Sequence, residues 1–307
     1  IHHLRKIDGL PGHPDTNTPG IITNTGSLGM GISKAKGMIL ADRAKGIKRY
    51  YYVLLGDGEL QEGQIWESLV SAVNNEFKEL VVIVDNNKIQ SDKFVKDTSN
   101  LLNLKNKFIS FGWKVKKING NNFNSLRKTF TKNFLDSKKP KIIIADTIKG
   151  YGAKNMDHRN VMKEYKYYPF HSGAPSKENY DIANNEILKR IKQNINQCKD
   201  KNLSINITTM DIQKENIELQ NQESLINKYS ELILNEVKRN KKIMCLDADL
   251  VLDTGLIPVK ENYPQQFFEC GISEQDMVSM AGGLAIMNQI PVVHSFSCFL
   301  CSRAAEQ

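Results

Sequence analysis

Asp57 lies between two glycines in the stretch LLGDGELQEGQ, residues 54–64, where an apolar run ends abruptly in an acid. Flanking glycines allow a backbone to approach a phosphate closely, yet a carboxylate at that place would repel one. A P-loop requires G-x-x-x-x-G-K-[ST], and no such lysine follows. The dinucleotide fingerprint G-x-G-x-x-G is met at Gly56 and Gly58 but fails at position 61, which is glutamine. Two readings survive. The plainer is a tight turn. In the other, Asp57 binds a divalent cation and the cation binds a diphosphate. Mg²⁺ takes oxygen ligands in an octahedral array, often one carboxylate plus phosphates. Asn87, in VDNNKIQ, follows Asp57 by 30 residues, one strand–helix–strand repeat later. Its amide oxygen, with a backbone carbonyl near Ile89, is placed to complete the shell. Gly56 and Gly58 then admit the phosphate, and the next helix offers its N-terminus to the anion.

Other residues could carry proton chemistry. His13 (PGHPD) and His171 (FHSGAP) are imidazoles able to shuttle a proton or stabilise a developing alkoxide. Glu274 (GISEQ) follows Ser273, which could cap a helix with Glu274 in its first turn. His2, His3 and His158 carry no motif, and His158 is expected at the surface. Cys298 and Cys301 form a C-x-x-C without a second ligand pair and are expected to be packing cysteines.

These residues need a scaffold, and the apolar pattern supplies one. A helix is expected over 27–45, entered through a glycine-rich turn. Strand 49–55, helix 62–77 and strand 79–87 form a βαβ unit, whose strands should be parallel and adjacent or nearly so. A helix near 100–111, a strand at 113–119, a helix near 124–136 and a strand at 141–148 extend it. The fold class is therefore α/β: a doubly wound, mainly parallel sheet. After a helix at 184–195 and a polar connector, a second α/β pattern begins. It comprises a helix from 224, a strand at 242–250, the strand-like QFFECG, a helix at 274–288 and the strand IPVVHSF. The expected domains are 1–182 and 226–307, joined by a linker at 183–225. The chain opens and closes abruptly, so a fragment of a longer protein is expected.

Composition narrows the class. The chain has 307 residues, 40% hydrophobic and 25% charged, as in soluble globular proteins. No apolar run approaches the ~20 residues of a membrane span, and IHHLRKIDGL lacks the apolar region of a secretory signal. The net charge of +8 comes from scattered lysines without a basic run or interleaved aromatics, so no nucleic acid is expected as partner. Five cysteines in no regular framework suggest a reducing, cytoplasmic setting without disulfides.

GDG followed about 30 residues later by NN resembles the thiamine diphosphate signature, and GDGELQEGQIWES resembles its transketolase version. GLPGHPD, TNTGSLGMGIS, DNNKIQSD, TIKGYG, FHSGAPS and GISEQDMVSMAGGLA each resemble a transketolase landmark, in the family's order. The resemblance covers nearly the whole chain except the linker.

Several roles follow from the resemblance. The cofactors would be thiamine diphosphate and Mg²⁺, or another divalent cation such as Ca²⁺ or Mn²⁺. Asp57, Asn87 and the Ile89 carbonyl would bind the metal, with Gly56 and Gly58 against the diphosphate. Gly26 and Leu28 would lie against the aminopyrimidine, and Phe299 would pack on that ring, with Phe296 a second choice. His13 would face the thiazolium, while His171 and Lys149 would lie near the diphosphate and substrate. Glu274 would hydrogen-bond N1′ of the pyrimidine, promoting loss of the thiazolium C2 proton. Glu62 would communicate with the catalytic glutamate across a homodimer that shares its active sites. The implied reaction moves a two-carbon ketol unit from a ketose phosphate to an aldose phosphate. A deoxyxylulose phosphate synthase-like enzyme and a non-catalytic binding module are the alternatives; a 2-oxo acid dehydrogenase component fits less well. An upstream SKGH-type histidine segment of the family is absent from this sequence.

Overall fold

The computed structural model describes residues 9–13, 15–197 and 225–307. Its chain forms two compact units, Ile1–Ile148 with Gly271–Ser273 and Lys149–Cys270 with Glu274–Gln307.

The first unit contains α1 (Gly31–Ala44), β1 (Tyr51–Gly56), α2 (Gly63–Asn74) and β2 (Leu80–Asn86). A short hairpin follows, β3 (Ile89–Gln90) and β4 (Lys93–Phe94), then α3 (Val95–Thr98) and α4 (Leu104–Ser110). β5 (Lys114–Asn119), α5 (Phe123–Thr129), α6 (Lys132–Leu135) and β6 (Lys141–Asp146) complete it. The main sheet has the order β1-β2-β6-β5 with every pairing parallel. The adjacency expected of β1 and β2 is observed, with Val53 opposite Val82.

Successive residues of a strand point to opposite faces, and β2 and β6 are apolar on both. Val82, Val84, Ile142 and Ile144 pack in one cluster with Ile65 and Leu69 of α2. Val81 and Ile143 pack with Phe134 in another. Helices therefore cover both faces, as a doubly wound sheet requires. All four strands run the same way, so their carboxyl ends share one edge, where Asp57, Asn87, Asn119 and Thr147 emerge.

Two expectations for this unit change. The first helix starts at Gly31, because 25–30 form a turn with Gly26 and Gly29 at positive φ. The helix expected near 124–136 is two short ones. Thr131 is extended there (φ −91°, ψ 155°), and the Thr129 hydroxyl donates back to the Ser125 carbonyl at 2.8 Å.

The second unit contains α7 (His158–Glu164), α8 (Lys177–Gln197), α9 (Leu225–Arg239), β7 (Ile243–Asp247) and α10 (Ile257–Asn262). β8 (Phe267–Glu269), α11 (Glu274–Ile286), β9 (Ile290–His294) and α12 (Ser297–Arg303) follow. Its sheet has the order β8-β7-β9, again parallel. Ile233 and Val237 of α9 pack on Ile243 and Cys245 of β7, while Met277 of α11 meets Leu246. The helix expected at 184–195 is the C-terminal part of α8. The rest of the expected connector, with His2, His3, Pro14 and Cys198, lies outside the described residues. No helix among the described residues is long and apolar enough to cross a membrane.

Candidate active site

In the first unit, β1 delivers Asp57 to the carboxyl edge of the sheet. The Asp57 N–H donates to the Asp85 carbonyl at 3.2 Å, prolonging the β1–β2 ladder by one residue. The Asp57 side chain is 2% exposed and caps the 3₁₀ turn Gly58–Gln61. One carboxylate oxygen accepts the Gly58 N–H at 2.9 Å, and the other accepts the Lys88 N–H at 2.5 Å. That second bond ties the acid to the Asn87–Ile89 turn. There the Asn87 Oδ1 accepts the Ile89 N–H at 2.9 Å. Asp57, Asn87 and Ile89 are thus brought together at one strand edge.

The charges around this edge are unequal. Asp146 accepts from the Lys88 and Lys117 ammonium groups at 2.8 and 3.0 Å and from the Asn86 amide at 2.6 Å. Partial burial opposes its charge, but these donors outweigh burial and hold its pKa below the ordinary carboxylate value. Asp57 has backbone donors and, among the described residues, no ion pair. Burial pushes its pKa up, against its two backbone bonds, and the Asp85 charge pushes the same way. The donor set suits a hard cation: a carboxylate, an amide oxygen and a backbone carbonyl. Each Asp57 oxygen and the Asn87 Oδ1 keeps a lone pair beyond its one backbone bond.

The neighbouring turn carries Gly26 and Leu28. Gly26 has φ +99°, and a Cβ there would stand 3.1 Å from the His13 Nδ1, so the exposed His13 ring lies directly against it. A cleft of about 440 Å³ is lined by Gly26, Ser27, Leu28 and Glu59. Another of about 740 Å³ is lined by Asp57, Asn86 and Lys88. A larger one, about 950 Å³, opens beside Arg43, Tyr50 and Asp136 at the opposite end of β1 and touches none of the expected residues.

Glu59 is a residue that sequence reasoning missed. Its two oxygens accept the Gly29 N–H at 2.8 Å and the Gly56 N–H at 3.1 Å, clamping the 26–30 turn onto the glycine–acid–glycine turn. Burial raises its pKa. Its position three residues after Gly56, with both partners glycine N–H groups, was the available signal. Glu62 precedes α2, is 8% exposed and packs beside Gly29. Gly58 is sterically required, since a Cβ there would meet the Gln90 Cβ at 2.5 Å.

In the second unit, the Lys149 ammonium lies 3.0 Å from the His171 Nδ1. His171 is exposed as a residue but crowded about the ring. That crowding, then the Lys149 charge, holds its pKa below the usual imidazole value. His158, expected at the surface, is instead buried at 7% exposure. Its Nδ1 accepts the Lys149 N–H at 3.1 Å, so it braces the TIKGYG loop.

Glu274 opens α11 and is 2% exposed. Its Oε1 lies 3.0 Å from the Arg303 Nη2, and its buried Oε2 has no hydrogen-bond partner among the described residues. Burial raises its pKa. An orphaned, buried, proton-hungry oxygen fits a site made for a ligand nitrogen. Phe299 is half-buried and stacks under Arg303, whose guanidinium carbon is 4.0 Å from its ring centroid; Phe296 is 5.9 Å from Phe299. Cys298 and Cys301, expected to pack, are exposed free thiols, because both fall on the outward side of α12.

Residues 1–165 match the family model of the transketolase thiamine diphosphate binding domain, and residues 224–307 that of the transketolase pyrimidine binding domain. An apulose-4-phosphate transketolase subunit of Phocaeicola vulgatus is 34% identical over 184 residues, covering 60% of this chain and 63% of that protein. Human transketolase is 29% identical over 318 residues, covering 99% of this chain and 48% of its own. Mouse transketolase-like protein 2 is 28% identical over 317 residues, with coverage of 99% and 48%. The chain thus spans from about half to 63% of the length of these relatives. With the first of the two domain models alone matching more than half of its residues, the chain belongs to the transketolase family.

Proposed function

We propose that this chain forms the cofactor-binding part of a transketolase-type enzyme that moves a two-carbon ketol unit between sugar phosphates. The observation that carries the reading is the buried Asp57 carboxylate, fastened to the Lys88 N–H and therefore to the Asn87–Ile89 turn. Asp57, Asn87 and the Ile89 carbonyl would hold Mg²⁺, and the backbone at Gly56 and Gly58 would lie against the diphosphate it carries. When bound, thiamine diphosphate supplies the electron sink for carbanion chemistry. Glu274 presents Oε2 for hydrogen bonding and can hold a proton there, because burial favours its neutral form. His171 is kept neutral near pH 7 and can accept a proton from a substrate hydroxyl. His13 serves the same class of role beside Gly26. Residues 1–182 and 226–307 form the two domains in this reading, and a homodimer shares its sites between them. A reducing, cytoplasmic setting accords with the free thiols of Cys245, Cys270, Cys298 and Cys301.

The test is calorimetry on the full-length protein. Thiamine diphosphate should bind in Mg²⁺ and not in a chelator, and Asp57→Ala should abolish binding. Unchanged affinity in that variant would sink the metal assignment. Product analysis then separates donors. Transfer from a hydroxylated ketose phosphate supports the transketolase reading, and CO₂ release from pyruvate supports the synthase alternative.

A further inference from the structure

Among the described residues, the guanidinium of Arg303 is the charged group that meets Glu274, and none of the sequence motifs drew attention to it. It ends α12, 29 residues after the glutamate, yet two contacts join the end of α12 to the start of α11. The Gln275 amide donates to the Arg303 carbonyl at 2.8 Å, and the Arg303 Nη2 reaches the Glu274 Oε1 at 3.0 Å. Both side chains are out of water, at 7% and 2% exposure. Phe299 fixes the guanidinium from the other side by stacking at 4.0 Å. The guanidinium is confined between the ring and the carboxylate, which it meets as an ion pair without an aligned hydrogen bond, so it constrains the carboxylate through charge and proximity.

We propose that Arg303 is a positioning residue for Glu274: it occupies Oε1 and leaves Oε2 as the oxygen offered to a ligand. The assignment rests on the reading that Glu274 faces the cofactor, and it adds what aims the glutamate and tempers its proton affinity. Two opposed effects meet at this carboxyl. Burial raises its affinity for a proton. The glutamate's own backbone N–H favours the charged form, and so does a cation 3.0 Å away. The helix N-terminus on which Glu274 stands acts in the same direction as the cation. No lysine or histidine among the described residues is paired with Glu274, so Arg303 is the group whose removal should be felt.

The test uses the cofactor-free full chain. Glu274 is titrated by carboxyl ¹³C NMR, its resonance assigned by loss in Glu274→Gln. Arg303→Met should move the midpoint up by about 1–3 units, the range for loss of an opposite charge at this distance. Arg303→Lys keeps the charge without the fork and should move it less, while loosening the orientation and weakening thiamine diphosphate binding in Mg²⁺. The turnover pH profile should shift in the same sense. An unchanged midpoint in Arg303→Met overturns the proposal. Should that variant not fold, Arg303→Lys decides: unaltered titration together with unaltered cofactor affinity overturns it. Failure of the underlying reading is separate. Glu274→Gln with undiminished cofactor affinity and turnover would remove Glu274 from the active site, whatever the Arg303 titration shows.

Discussion

Gly58→Ala is the most direct test of how the glycine–acid–glycine turn is built. The new Cβ would stand 2.5 Å from the Cβ of Gln90. Carbon atoms prefer roughly 3.5–4.0 Å, so one partner must retreat by about 1 Å. Gln90 cannot yield by rotating a side chain, because the clash is at its Cβ. It is 4% exposed, and its amide makes two bonds with Gln61 at 2.6 and 3.1 Å. Overpacking of this kind costs about 1–3 kcal/mol, and each strained buried hydrogen bond adds about 0.5–1.5 kcal/mol. A loss of about 2–4 kcal/mol is expected, or about 5–15 °C in the melting temperature of a unit this size. Denaturant unfolding measures it, with Gly63→Ala as control, since nothing lies within 4 Å of a Cβ there. That control should be neutral or mildly stabilising. Pairing Gly58→Ala with Gln90→Gly removes the colliding atom and should recover part of the loss. A Gly58→Ala protein as stable as its parent, or a pair that recovers nothing, would refute the steric account. Because β3 carries Gln90 directly after Ile89, cofactor affinity should fall alongside stability.

Lys141 is fully buried at the start of β6, its ammonium donating to the Lys78 carbonyl, and burial lowers its pKa from 10.5 to about 8. The folded state therefore binds this proton less tightly than the unfolded chain. Stability should rise from about pH 8 to about pH 10.5, by at most about 3 kcal/mol from this group. Lys141→Met should flatten that rise and raise stability at pH 7 in denaturant titrations; a slope that persists would assign it elsewhere. Glu59→Gln replaces one of two acceptors with a donor facing a glycine N–H, and should cost about 1–3 kcal/mol in unfolding and weaken cofactor binding in calorimetry. His158→Phe keeps an aromatic ring, slightly enlarged, but removes the acceptor of the Lys149 N–H, and should cost about 1–3 kcal/mol in denaturant unfolding while raising KM for a sugar phosphate.

The elements legible in the sequence were those with a strong physical period. β2 and β6 are apolar on both faces and read as unbroken runs, and α2 and α9 carry apolar residues at helical spacing. α7 and α10 escaped notice because six or seven residues hold too few turns to show a period. The break between α5 and α6 depends on Thr129 bonding back to Ser125, which no periodicity records. His158 looked like a surface residue because the acceptor role that buries it is played toward a backbone N–H nine residues away. Arg303 was invisible for a related reason: its meaning lies in a neighbour 29 positions earlier, reached only once α12 folds beside α11.

Asp57 shows what the structure adds to a motif. The spacing to Asn87 suggested a metal on the sequence pattern alone, and a plain tight turn explained the same letters. The edge of the sheet carries three acids, Asp57, Asp85 and Asp146. Asp146 has Lys88 and Lys117. Asp85 has the Thr147 hydroxyl and, at 3.4 Å, the Asn87 amide. Asp57, the most deeply buried of the three, has backbone N–H groups and, among the described residues, no ion-paired cation, with Lys88 acting on it only from a distance. The carboxylate caps the turn, and its burial is what makes its charge costly. Two lysines stand at the same edge, and both are directed to Asp146. In the proposed reading an external cation serves Asp57, and Asp57→Asn tests it. Asp57→Asn sets an amide donor against one of the two backbone N–H groups the carboxylate accepts, so it should cost about 1–3 kcal/mol in unfolding, as Glu59→Gln does, while abolishing Mg²⁺-dependent binding. A variant that binds the cofactor in Mg²⁺ as tightly as its parent would mean that the carboxylate serves the turn alone.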